Sequence, residues 1–83
     1  MISKKLMEDD VFAYINEHDG DKSGMARVKL CEAAIQEGIE KQLDGAWWEH
    51  TELNPFQMFF FEKRSVDEVI DLIVKDINAR ALA

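Results

Sequence analysis

Asp19, Asp21 and Ser23 put oxygen-bearing side chains at every second position of the stretch HDGDKSGMARVKL, His18 to Leu30, and Gly24 follows them. Alternating carboxylate and hydroxyl oxygens beside a glycine turn are the ligands that a hard cation such as calcium takes. Transition-metal or nucleophilic chemistry would need other residues: His18, His50 and the single cysteine, Cys31. These three lie far apart and match no compact zinc-ligand spacing. A cysteine nucleophile also needs a neighbouring base, whereas Cys31 lies on an apolar helical stripe, where cysteine behaves as a small hydrophobe.

The spacing of Asp19, Asp21, Ser23 and Gly24 resembles the first half of an EF-hand loop, in which they would take the first, third, fifth and sixth positions. The second half departs from that pattern. Arg27 stands at the ninth position, placing a cation toward a cation, and Leu30 stands where the closing bidentate glutamate belongs. Glu32 comes two residues too late. The stretch therefore reads as a polar turn between two helices, because turns use Gly, Asp and Ser for their own backbone reasons. A metal-responsive helix pair at Asp19 and Asp21 is the alternative. No cofactor is expected. The glycine-rich phosphate loops and nucleophile elbows that mark many enzymes are missing. A few short helices offer little wall for a substrate pocket, so neither an enzyme nor a small-molecule binder is expected.

Three helices must position whatever chemistry remains. Leu6, Met7, Val11, Phe12 and Ile15 have helical spacing over Lys4 to His18, with Gly20 as terminator. Glu8, Asp9 and Asp10 lie toward the end that the helix dipole makes favourable for acids. Val28, Cys31, Ile35, Ile39 and Leu43 share a face over Gly24 to Asp44, with Ser23 as the N-cap candidate. Gly38 interrupts this second helix, and its missing side chain would let a neighbouring helix come close. Ser65 and Glu68 form the capping box S-x-x-E before Val66, Val69, Ile70, Ile73 and Ile77, which predicts a helix from Val66 to about Arg80. Leu72 and Val74, off that stripe, indicate burial on more than one side.

Between the second and last helices runs AWWEHTELNPFQMFFFEKR, Ala46 to Arg64. Asn54, Pro55 and Gln57 fit an N-cap, first turn and N3 position, which predicts a short helix from Pro55 to about Glu62. The competing reading is a two-stranded hairpin over 46–61, since aromatics favour strands. The expected architecture is all-α, a single small helical domain over 1–83 with three main helices and a short aromatic one. The alternative is α+β with that hairpin.

Trp47, Trp48, Phe56, Phe59, Phe60 and Phe61 crowd this segment, and Met58 joins them. Each aromatic can bury roughly 150–250 Å², and neither helix nor strand geometry turns all of them one way. Two adjacent tryptophans do not both fit one small core, so one of Trp47 and Trp48 is expected at the surface. Exposed aromatic patches mark interaction sites. The candidate partner-binding residues are therefore Trp47, Trp48, Phe56, Phe59 and Phe60.

Charge and size complete the expectation. Seventeen acids against ten bases leave a net charge of −7, which argues against direct binding to nucleic acid or an anionic membrane surface. Acidic mimicry of a nucleic acid, acting on a DNA-binding protein, is a further alternative. The opening MISKKLMEDD lacks the apolar stretch of a secretory signal, a lone cysteine suits a reducing compartment, and no apolar run is long enough to span a bilayer. A cytoplasmic protein is expected. A domain of this size buries only about 60% of its unfolded surface, so self-association would be one source of extra stability. The sum is a small acidic non-enzymatic protein that modulates or inhibits a protein partner, or associates with itself. Compact inhibitors encoded by phages or plasmids share these traits.

Overall fold

The computed structural model describes residues 1–20 and 22–82. Helices α1 (Lys4–His18), α2 (Gly24–Gln42), α3 (Pro55–Phe60) and α4 (Val66–Ala81) follow in order, with a single 3₁₀ turn, Trp47–Glu49, between α2 and α3. Among the described residues there is no strand. The fold is all-α, and the hairpin over 46–61 does not form. Asn54 decides the matter locally: its side chain accepts from the Gln57 N–H at 3.2 Å, and Pro55 occupies the first helical turn. A proline there sacrifices only an N–H that would be unpaired anyway.

The other helix ends follow their sequence signals unevenly. Ser65 and Glu68 form the reciprocal capping box, each bond at 3.2 Å. Gly20, at φ +50°, takes the left-handed backbone just after α1, a conformation glycine adopts without the steric penalty other residues meet. Ser23 occupies the N-cap position of α2, but its hydroxyl makes no capping bond. Ser3 caps α1 instead, accepting from the Leu6 N–H at 3.2 Å. The helix consequently starts early enough that Glu8, Asp9 and Asp10 fall beyond its first turn. Two helices also end short of expectation: α2 stops at Gln42 and α3 at Phe60.

One apolar cluster joins all four helices. Met7, Val11 and Ile15 come from α1, and Leu30, Cys31, Ala34, Ile35 and Ile39 from α2. Met58 and Phe59 come from α3, and Val69, Ile70, Ile73, Val74 and Ile77 from α4. Steps of three and four bring each set to one side of its helix. Val74 is buried beside the main stripe of α4, as its position suggests, whereas Leu6 and Phe12 of α1 are exposed. Helix α1 packs against α2 and α4, and α3 packs against the same two helices from elsewhere along the bundle. Where α1 crosses α2, Gly38 removes the obstacle. A Cβ built there would lie 2.9 Å from Met7 Sδ and 3.1 Å from Val11 Cγ2.

Polar side chains tie the remaining backbone down. The Asn78 amide receives the Ile2 N–H at 2.7 Å and donates to the Ile2 carbonyl at 3.1 Å. Gln42 does the same for Ser3, at 2.7 and 3.1 Å. Each carboxamide thus matches one backbone unit in both polarities. Buried Thr51 donates to Asp76 at 2.6 Å and accepts from the Leu53 N–H, fastening the segment before α3 onto α4. On the surface, Lys75 and Lys4 both reach Asp71, at 2.9 and 3.1 Å, and hold its carboxyl below the usual carboxylate range.

Gly38→Ala should lower stability by about 1–2 kcal/mol in chemical denaturation. Overpacking at this contact costs about 1–3 kcal/mol, and alanine's helix preference returns at most about 1. In a Met7→Ala background the penalty should shrink, because the atom it meets is gone. A Gly38→Ala protein more stable than the wild type would contradict the close approach. The depressed carboxyl of Asp71 contributes stability above its ordinary pKa that is lost as pH falls through the lower folded value. Asp71→Asn should therefore shallow the acid limb of the stability–pH curve below about pH 4. An unchanged limb would remove Asp71 from that role.

Candidate functional site

Asp19, the first ligand position of the alternative metal reading, is already engaged. Arg27, the residue that spoils the EF-hand spacing, donates from its guanidinium to Asp19 at 2.7 Å. Asp21 lies outside the described residues. Among the described residues no three His, Cys, Asp or Glu side chains converge on a common point. His18 lies against Tyr14, with ring centroids 4.1 Å apart, and His50 Nε2 lies 2.6 Å from the Asp44 carbonyl. Cys31 is buried. Burial pushes its thiol pKa up, with only partial opposition from Arg27, so the protonated form is held in place and the nucleophilic thiolate is disfavoured. Many acids are locally paired across or along helices, as in Lys5–Asp9, Arg80–Asp76 and Arg64–Glu68, which divides the negative charge instead of massing it.

The aromatic segment separates into core and surface. Phe59 is only 9% exposed and belongs to the core with Met58; that position removes it from the candidate patch, because the face of α3 that meets α2 and α4 carries it inward. Trp47 is half-buried and packs against the core. Trp48 is 65% exposed and Phe61 68% exposed. Phe56 and Phe60, one helical turn apart, stack at 5.3 Å and 18°, and Phe61 meets Phe60 edge-on at 4.8 Å. Offset and edge-to-face pairs of this kind satisfy the ring quadrupoles. Phe56, Phe60 and Phe61 thus form one ring cluster along α3 and just past its end.

Both aromatic groups sit on fixed supports. Lys63 adopts the left-handed backbone, φ 57°, a conformation that costs a non-glycine residue about 1–2 kcal/mol. It lets the Arg64 N–H reach the Met58 carbonyl at 3.0 Å and brings the Lys63 ammonium 5.1 Å from the Phe60 ring centre, within cation–π range. The 3₁₀ turn is held at three points. Glu49 accepts from the Ala46 N–H at 2.6 Å, Glu40 accepts from the Trp47 N–H at 2.9 Å, and His50 lies against the Asp44 carbonyl. Trp47 and Trp48 stand at 87° with centroids 5.8 Å apart. Backbone ordered in advance lowers the conformational cost of binding.

The structure brings Phe56, Phe60 and Phe61 together and sets Trp47 and Trp48 on a separate turn. Sequence reasoning singled out Phe60 but passed over Phe61, which continues the FFF run just past the helix end. It also passed over Glu37 and Glu40. These line an open groove beside Trp47 and Trp48 together with Ala33 and Gln36, and the spacing of those four residues, i, i+3, i+4 and i+7, marks one helix face.

Trp48→Ala and Phe61→Ala should each change unfolding free energy by less than about 0.5 kcal/mol, as exposed substitutions do. Phe59→Ala should cost about 3–5 kcal/mol. Large losses in the first two variants would place those rings in the core. Comparison with known proteins finds no matching family model, no matching curated protein and no matching solved structure.

Proposed function

We propose that this chain is a small non-enzymatic interaction protein that modulates or inhibits a protein partner by binding it through exposed aromatic side chains. The observation that carries the reading is the exposure of Trp48 and Phe61, 65% and 68%, one beside a turn tied down at the Ala46 and Trp47 N–H groups and the other with its own N–H on the Gln57 carbonyl. The core closes without either ring. Tryptophan and other aromatics supply the anchors of protein interfaces, and an isolated domain gains nothing comparable from leaving them in water. The net charge of −7 favours a partner with a basic face.

The test is capture of partners from the native host with wild-type chain and with the Trp48→Ala/Phe61→Ala double variant, followed by mass spectrometry and reconstitution with the purified partner. The wild type should retain a defined protein that the double variant binds at least about tenfold more weakly, with unchanged helical circular dichroism. Phe12→Ala, at an exposed ring on α1, should leave binding intact. Equal binding by wild type and double variant, or retention of no partner, would overturn the reading.

A further inference from the structure

The groove between α2 and the 3₁₀ turn combines two features that point to one kind of occupant. Its turn side is built from indoles: Trp48 projects into solvent and Trp47 stands across it at 87°. Its helix side carries Gln36, Glu37 and Glu40, with Ala33 leaving room at the base. Among the described residues Glu37 pairs only with Lys41, at 3.9 Å along the same helix, an exposed pairing of small strength. Glu40 spends one oxygen on the Trp47 N–H, which leaves its other oxygen for a ligand. An aromatic face beside carboxylates fits a flat or compact cation whose stem is apolar. The indole attracts the cation through its ring quadrupole, and the carboxylates receive its N–H donors.

We infer that this groove takes an arginine or lysine side chain from a basic segment of the protein partner, with the stem laid on Trp48 and the cationic head directed to Glu37 and Glu40. The inference rests on the interaction reading above and assigns the partner's chemistry. A purely apolar segment would leave two carboxylates beside it with their hydration disturbed. A second copy of the chain would bring its own net charge of −7 to an acidic surface.

A hexa-arginine peptide is the probe, titrated at moderate salt while the indole N–H signals of Trp47 and Trp48 are followed by nuclear magnetic resonance. An uncharged leucine–serine peptide of equal length is the control. Hexa-arginine should move the Trp48 signal, and Trp48→Ala and Glu37→Gln should each weaken binding roughly two- to fivefold. Glu17→Gln, which makes the same charge change on α1 outside the groove, should have a distinctly smaller effect. Three results would overturn the inference. One is equal weakening by Glu37→Gln and Glu17→Gln with no Trp48 shift, which is diffuse attraction to an acidic protein. Another is equal binding of the uncharged peptide. The third is a dimer mass by light scattering that Trp48→Ala abolishes, which would make a second copy the occupant. If the captured partner still depends on Trp48 and Phe61 after the first or second of these results, only the basic assignment falls; if it does not, the interaction reading falls with it.

Discussion

The contact of Gly38 with Met7 and Val11 sets the spacing on which the other elements depend. Because position 38 carries no side chain, Met7 Sδ and Val11 Cγ2 occupy the space a Cβ would need, and α1 lies directly on α2. Protein interiors pack at near-crystalline density, so the distance between two helices fixes where the next side chains fit. Ile35 and Ile39 flank that contact on α2 and belong to the same buried cluster as the α4 stripe. The other side of α2 is thereby turned outward. There Gln36, Glu37 and Glu40 stand beside the tryptophan turn. One helix thus contributes both the floor of the core and the polar wall of the candidate site, and the glycine on its buried side governs both.

Most of the fold was legible because its signals are local. Three apolar stripes at steps of three and four gave α1, α2 and α4, and the capping box at Ser65 and Glu68 located the start of α4. Asn54–Pro55 outweighed the strand preference of the phenylalanines, since a cap and a preset proline φ act within one turn while strand pairing needs a partner at a distance. The ties that escaped notice are long-range. Nothing near Asn78 or Gln42 announces that their amides clasp Ile2 and Ser3, and nothing near Thr51 announces Asp76.

The candidate site was legible in kind and only partly in detail. Crowding in residues 47–61 indicated that some aromatics must face water, but which ones depends on the angle at which α3 meets α2 and α4. Phe59 went into the core, while Phe61, just beyond the helix, stayed outside. The turn at Asp19 shows a motif fragment with a different use: the aspartate that would begin a calcium loop is bound by the arginine that interrupts it. Both cases follow from partners the linear sequence does not place side by side.

In the proposed reading, an acidic surface with exposed aromatics would combine long-range attraction for a basic partner with short-range apolar anchoring. Attraction sets encounter and orientation, and a few buried rings supply most of the affinity. The described helices include none long and apolar enough to cross a membrane. Hydrogen–deuterium exchange of the chain alone and bound to its purified partner tests the central claim most directly. Protection gained across residues 45–50 and 56–64, with the outer faces of α1 and α4 unchanged, is the predicted result. Protection confined to α1 and α4, with the tryptophan turn and α3 exchanging as in the free chain, would contradict it.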